Sequence, residues 1–214
     1  MISLLDISKV RRVLCFGAHS DDIEIGCGGT ILRLIEANPQ IQITWIVFGG
    51  NEQRQAEARA SAEAFLTGNS AKNIITKSFR DAFFPYHGEA IKQFVEEVKQ
   101  SCSPDVIFTH YRDDLHQDHR TINQLTWNAF RSHTICEYEI VKYDSDLGHP
   151  NLFSPLSEAI VSRKIELLMK HFASQQRKQW YDEETFRAYL RLRGVQCDSP
   201  TKYAEAFHVR KMLM

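Results

Sequence analysis

Short apolar segments alternate with segments of helical spacing from Val13 to about Trp127. The apolar segments are rich in β-branched and aromatic side chains, which is typical of strands. These predicted strands occupy residues 13–18, 41–48, 74–75 and 106–109. The predicted helices open at the glycines of 26–29, run from 51 to about 68, cover 90–98 and begin near Asp118. This alternation predicts an α/β protein with a Rossmann-like three-layer fold and a mostly parallel central sheet.

The pattern changes after Tyr143. The remaining elements are a predicted loop at 145–155, a long helix at 157–172, a polar helix at 182–191 and a final strand at 203–209. No repeat, low-complexity segment or linker interrupts the chain. We therefore expect residues 1–214 to form a single domain whose C-terminal part packs on the same core and covers the site.

Composition narrows the class of protein. The 214 residues carry 26 Lys and Arg against 27 Asp and Glu, a formal net charge of −1. Because nucleic-acid binding draws on concentrated positive charge, this balance argues against a nucleic-acid-binding protein. No apolar run approaches the roughly 18 residues of a membrane span, and basic residues come too early for a signal peptide. We expect a cytoplasmic protein without membrane insertion. The five cysteines are scattered and never spaced C-x-x-C, so neither a disulfide framework nor a cysteine zinc site is indicated.

A first polar cluster follows the first predicted strand. It contains His19, Ser20, Asp21, Asp22 and, close behind, Glu24. Carboxylates held together beside apolar walls are costly unless a cation neutralises them. A histidine and an aspartate three residues apart on one loop suit zinc, with other divalent transition metals as alternatives. The other interpretation is a solvated turn that caps the following helix.

A second polar cluster spans residues 110–120 and follows the last of these predicted strands. It holds three of the nine histidines together with three aspartates. If a helix begins near Asp118, then His116 and His119 can face the same site, with carboxylates beside them to fix their ring tautomers. A charged helix N-terminus is the alternative, although it favours aspartate and not histidine.

The two clusters together carry a family resemblance. Residues 18–30, AHSDDIEIGCGGT, match A-H-P-D-D-x-x-x-G-x-G-G-T, and residues 116–120, HQDHR, match H-x-D-H-R. On these motifs the sequence resembles the PIG-L/LmbE-like N-acetylglucosaminyl deacetylases, which are zinc hydrolases that act on N-acetyl sugar conjugates. Ser20 stands where the family usually has proline. Loss of the fixed φ of proline loosens the loop but removes no ligand, so we expect activity to survive.

Matched position by position, the resemblance implies a ligand set. His19, Asp22 and His119 would bind Zn²⁺ and leave open positions for water and for the substrate carbonyl. Another divalent transition metal such as Fe²⁺ is the alternative, because occupancy in the cell depends on availability as much as on ligands.

The resemblance also implies catalytic and substrate-binding groups. Asp21 would be the general base, His116 a charged or donor group near the oxyanion or the leaving amine, and Asp118 a partner that supports a ligand. Arg54 would contact the substrate, and an ordinary helix-surface arginine is an equal alternative. Asp114 stands where some relatives carry a tyrosine that assists the oxyanion, so that role has no assigned residue.

The reaction implied by the resemblance is removal of an acetyl group from an N-acetylhexosamine conjugate of GlcNAc type by metal-activated water. The partner would be a small-molecule N-acetyl sugar conjugate, and a homo-oligomer is open because some relatives form rings of subunits. A metal-dependent amidase or phosphoesterase acting on another small molecule is an alternative. A non-catalytic carbohydrate-binding relative is a further one.

Overall fold

The structure, a computed structural model, describes residues 6–212. Within this range there are seven strands: β1 Arg12–Gly17, β2 Gln42–Gly49, β3 Lys72–Phe79, β4 Val106–His110, β5 Thr134–Tyr138, β6 Leu152–Leu156 and β7 Tyr203–His208. Six α-helices accompany them: α1 Asp22–Ala37, α2 Glu52–Phe65, α3 Gly88–Ser101, α4 Gln117–Ala129, α5 Glu158–His171 and α6 Glu183–Gln196. Short 3-10 helices occur at Ile7–Lys9 and Phe84–His87. Residues 1–5 and 213–214, which begin and end the predicted single domain, lie outside the described residues.

The strands form one mixed sheet in the order β3-β2-β1-β4-β5-β7-β6. β1 to β5 pair in parallel, whereas β7 runs antiparallel to both β5 and β6. The connections progress from β1 towards β3 on one side and from β4 onwards on the other. The switch between β1 and β4 opens a crevice at their carboxyl ends, where α/β sheets commonly bind ligands.

Both faces of the sheet are covered by helices. In β1, Val13 and Cys15 belong to one apolar core, which also takes side chains from α1, α2, α5 and α6. Leu14 and Phe16 alternate with them and join the opposite core, together with α3 and α4. This period-2 alternation separates the two cores. The predicted Rossmann-like three-layer fold with a mostly parallel sheet is confirmed, and a single domain over the whole chain stays a prediction.

Two strands are not predicted by the hydrophobic pattern. β5 carries a buried Glu137 whose carboxylate accepts from Trp127 Nε1 at 2.6 Å and from the backbone N–H of Arg112 at 3.0 Å, so its apolar pattern is interrupted. β6 lies where residues 145–155 predict a loop. Its Pro155 argues against a central strand, but β6 is at the sheet edge, where proline is tolerated.

The first helix begins at Asp22, earlier than the glycines predict. These glycines instead lie inside α1, where they allow close packing. A Cβ at Gly26 would come within 2.1 Å of the Tyr138 ring, and one at Gly29 within 2.6 Å of Leu156 Cδ1. Because Tyr138 ends β5 and Leu156 ends β6, these positions bring α1 against the sheet. No helix within residues 6–212 is long and apolar enough to cross a bilayer.

A buried ion pair fastens α1 to the C-terminal part of the chain. Lys164 Nζ donates to Glu205 Oε1 at 2.6 Å and to the Ile25 carbonyl at 2.7 Å. The same carboxylate accepts from the backbone N–H groups of Gly29 at 2.7 Å and Thr30 at 2.6 Å. Lys164 and Glu205 are almost completely buried. The pair therefore joins α1, α5 and β7 and holds the helix whose first turn carries Asp22.

Removing one member of this pair should be strongly destabilising. We expect Lys164→Ala to lower the free energy of unfolding by about 3–5 kcal/mol, because it leaves the Glu205 carboxylate buried without its cation. Urea denaturation monitored by circular dichroism measures the loss. Lys170→Ala, an exposed lysine on the same helix, is the matched control and should change the value by less than about 0.5 kcal/mol. Equal effects of the two substitutions would contradict this account.

Candidate metal centre

The two polar clusters meet at the carboxyl ends of β1 and β4. Residues 18–21 connect β1 to α1, and residues 111–116 connect β4 to α4. Because β1 and β4 are neighbouring parallel strands, both loops emerge at the same edge of the sheet. The fold therefore brings together side chains that lie about 100 residues apart in the sequence.

Three side chains present donor atoms to one point. His19 Nδ1 lies 3.1 Å from His119 Nε2 and 3.4 Å from Asp22 Oδ2. His119 Nε2 lies 3.6 Å from Asp22 Oδ1. Tetrahedral ligands of a zinc ion with bonds of about 2.0–2.1 Å are separated by about 3.4 Å. Because these distances involve both oxygens of Asp22, one ligand atom from each residue groups His19 and His119 with His116, or Asp22 and His119 with His110. Either group could hold a small divalent cation.

The hydrogen bonds behind the two imidazoles support this fit. His119 Nδ1 lies 2.9 Å from Asp114 Oδ2, and His19 Nε2 lies 3.1 Å from Asp81 Oδ1 and 3.2 Å from Asp118 Oδ2. A carboxylate accepts a hydrogen, so these outer nitrogens donate. The inner nitrogens then face each other at 3.1 Å, where they can share a hydrogen or turn their lone pairs to a bound cation.

The surroundings favour positive charge on His19 and disfavour it on His119. Burial opposes protonation of His19, but the carboxylates of Asp22 and Asp118 outweigh it and raise its pKa well above the usual value. Burial lowers the pKa of His119 to about 3, and His110 adds to that effect. Burial also opposes ionisation of Asp22, yet the neighbouring histidines hold its pKa well below the usual range.

Two further residues of the second cluster contact His119 and the loops around it. Asp114, left without a role by the sequence, binds His119 and also accepts from the backbone N–H of His116 at 2.7 Å. Lys142 Nζ lies 3.1 Å from the same carboxylate. His110 is fully buried, stacks on His119 at 3.9 Å between ring centroids, and its Nε2 accepts from Ala18 N at 2.9 Å. Asp114 and His110 therefore fix the position of His119, and His110 also fixes the loop that carries His19.

Asp118 contacts His19 and also fixes a loop. Its carboxylate lies against His19 and accepts from the backbone N–H of Ala82 at 2.7 Å and of Phe84 at 3.1 Å. Ala82 has φ 66°, in the left-handed region that alanine rarely adopts. Asp118 thereby holds the strained segment that places Asp81 beside His19. Asp81 carries no sequence signal of a site, because no motif spacing links it to the two clusters.

Asp21 and His116 line the pocket beside the donor atoms. Asp21 precedes α1, and its Oδ1 accepts from Arg54 Nη2 at 3.2 Å. Burial raises the pKa of Asp21, although the Arg54 guanidinium opposes the rise. His116 caps α4 by accepting the Asp118 N–H on Nδ1 at 3.2 Å, and burial lowers its pKa. His116 is therefore neutral and carries its hydrogen on Nε2.

These groups line an open pocket of about 190 Å³. Its wall also includes Lys142 and Tyr143 from the segment after β5, and Lys178 and Trp180 from the segment between α5 and α6. The C-terminal part thus contributes to the pocket, as the sequence predicts, although no local pattern singles out these side chains. The structure brings all the predicted site residues together: His19, Asp21, Asp22, Arg54, His116, Asp118 and His119.

The sequence of this chain is similar to one protein family and to individual known proteins. The family model described as "PIG-L: GlcNAc-PI de-N-acetylase" matches residues 14–130, which include both polar clusters. Among curated proteins, the uncharacterized deacetylase YaiS of Escherichia coli K12 is 25% identical over 182 residues, covering 78% of this chain and 94% of that protein.

Two solved structures have the same fold at low sequence identity. N,N'-diacetylchitobiose deacetylase from Pyrococcus horikoshii, complexed with its inhibitor MPG, matches with a TM-score of 0.70 and 20% identity, covering 95% of this chain and 85% of that one. GalB, the 4-carboxy-2-hydroxymuconate hydratase of Pseudomonas putida KT2440, matches with a TM-score of 0.75 and 16% identity over 95% and 98%. The fold therefore accommodates more than one reaction.

The assignment to a family rests on the sequence match and not on the shared fold. The matched residues 14–130 make up more than half of the chain and contain His19, Asp21, Asp22, His116, Asp118 and His119. This chain belongs to the PIG-L family, described as GlcNAc-PI de-N-acetylases.

Proposed function

We propose that this protein is a zinc-dependent N-deacetylase that removes the acetyl group from an N-acetylhexosamine conjugate of GlcNAc type. The observation that carries the proposal is the set of donor atoms of His19, Asp22 and His119, with the carboxylate of Asp21 beside them in an open pocket. Membership of the PIG-L family and similarity to deacetylases support it. When bound, zinc supplies a Lewis acid that polarises the amide carbonyl and makes water a stronger nucleophile at neutral pH.

Asp21 is the general base of the proposed reaction. Arg54 binds its Oδ1, whereas Oδ2 accepts no hydrogen bond from any residue in the range 6–212. A free carboxylate oxygen in the pocket can take a proton from the attacking water and return it to the departing amine. Burial, which raises the pKa of Asp21, makes this carboxylate a better base than an exposed aspartate.

His116 is the donor to the developing oxyanion. Its Nδ1 accepts the Asp118 N–H, so its hydrogen is on Nε2 and available within the pocket. A fixed donor stabilises charge that develops only in the transition state. Asp118 keeps His116 in this tautomer through its backbone N–H, and its carboxylate keeps His19 in the same tautomer, with the hydrogen on Nε2.

Arg54 contacts the sugar in this proposal. A guanidinium has five N–H groups, and three are used within the protein, on Ser20, Asp81 and Asp21. The remaining two are available to a hydroxyl of the bound sugar, because Arg54 lines the pocket. A two-metal phosphoesterase is less well supported, because the family to which the chain belongs is described as de-N-acetylases.

The reaction is tested by release of free amine from a panel of N-acetylglucosamine conjugates. The panel contains a nucleotide sugar, an acidic glycoside, chitobiose and a lipid-linked form, each assayed with zinc-reconstituted and with chelated protein. We expect metal-dependent release from one member, because the activated water needs the cation. Release that is equal with and without chelator, or no release from any member, would overturn the proposal.

Asp21→Asn should abolish most of this activity without loss of the metal. We expect kcat to fall by about 10²–10⁴-fold, the usual contribution of a general base, while elemental analysis still finds one zinc per chain. Asp113→Asn is the matched control, because Asp113 is an exposed aspartate on the loop before α4. An Asp21→Asn enzyme with kcat near the wild-type value would exclude Asp21 as the base.

Asp114→Asn should weaken zinc binding. The amide cannot accept from His119 Nδ1 with the strength of a carboxylate, and loss of such a partner commonly lowers metal affinity about 10–100-fold. Competition with a chromophoric chelator measures the dissociation constant, with Asp113→Asn again as control. An unchanged dissociation constant would show that Asp114 does not support the ligand.

A further inference from the structure

Ser20 lies between the ligand His19 and the base Asp21, and its side chain is fully buried. Its Oγ accepts a hydrogen bond from Arg54 Nε at 3.0 Å. A fully buried hydroxyl cannot contact a substrate in the open pocket. Any influence of this hydroxyl on the reaction must therefore pass through Arg54.

Arg54 is held on several sides. Its Nη1 donates to Asp81 Oδ2 at 3.0 Å and its Nη2 to Asp21 Oδ1 at 3.2 Å. The backbone is fixed as well, because Asn51 Oδ1 caps α2 by accepting the Arg54 N–H at 3.0 Å. A guanidinium is rigid and planar, so the bonds to Ser20 and Asp81 determine where its third contact, to Asp21, can lie.

We propose that Ser20 is a positioning residue for the general base. Its hydroxyl fixes the plane of the Arg54 guanidinium, which holds Oδ1 of Asp21 and leaves Oδ2 directed to the reacting water. This inference rests on the proposed role of Asp21 in amide hydrolysis. The bond crosses from the loop after β1 to the first turn of α2, so it ties the base to a second helix.

The same bond explains how the chain tolerates a serine at this position. The family motif has proline here, which restricts the loop through its fixed φ. Serine lacks that restriction, but its hydroxyl reaches Arg54 across 34 positions of sequence. A tertiary hydrogen bond thus supplies the constraint that a proline ring would supply locally.

The kinetic test compares Ser20→Ala with wild type on the conjugate that the panel identifies. We expect kcat to fall by about tenfold, because small displacements of a catalytic group are costly, with KM within about twofold. Ser70→Ala, an exposed serine before β3, is the control and should leave both constants unchanged. An unchanged kcat in Ser20→Ala would overturn the proposal.

A second background separates this role from a general structural one. Arg54→Lys removes the guanidinium whose Nε–H binds the serine, so adding Ser20→Ala to Arg54→Lys should lower kcat no further. If Ser20→Ala reduces kcat by the same factor in both backgrounds, the hydroxyl does not act through Arg54 and the proposal fails.

Nuclear magnetic resonance tests the arrangement without a substrate. In zinc-loaded protein, the Nε–H of Arg54 should exchange slowly with solvent, and Ser20→Ala should accelerate its exchange and shift the carboxyl carbon signal of Asp21. Ser70→Ala should change neither signal. If Ser20→Ala leaves both signals unchanged, the inference is wrong whatever the reaction. If both signals change while the whole panel stays unreactive, the positioning stands and the proposed function fails.

Discussion

Five aspartates gather beyond the carboxyl ends of β1 and β4, and their mutual repulsion is the constraint that shapes this end of the molecule. They are Asp21, Asp22, Asp81, Asp114 and Asp118. Carboxylates in a region of low dielectric are stable only beside cations or hydrogen-bond donors. Imidazole, guanidinium and backbone N–H groups are accordingly interleaved with them, and the loops that supply these donors could not separate without leaving charge unpaired.

Each of these donors also has its direction fixed. Asp114 braces His119 and Asp118 braces His19, so the inner nitrogens converge without freedom to rotate. The backbone strain at Ala82 is offset by the two N–H groups that Asp118 accepts from the same segment. Preorganisation of this kind removes the cost of ordering the ligands when a cation binds. The binding strength of the centre is therefore distributed well beyond the atoms that would touch a metal.

The sequence predicts the parts of this site whose signals are local. The spacing of His19 with Asp22 and of His116 with His119 indicates a site in the sequence, because each pair shares one loop or one helix start. Asp81 could not be predicted, since its partners His19 and Arg54 come from two other segments and nothing in its sequence neighbours marks it. The fold shows the same division, because β1 to β4 follow from apolar periodicity. β5 does not, since the buried Glu137 interrupts its apolar pattern, and β6 does not, since Pro155 argues against a strand although it is tolerated at the edge.

The contact between Glu205 and α1 has a consequence for the order of events during synthesis. Glu205 follows Gly29 by 176 positions, yet it accepts the backbone N–H groups that lie in the middle of the helix. While the chain emerges from the ribosome, α1 and the loop before it can dock on β1 and β2, but this carboxylate is not yet there to seat them. The motif of residues 18–30 therefore reaches its final arrangement only after β7 has been synthesised, and a cation present earlier would meet an incomplete site.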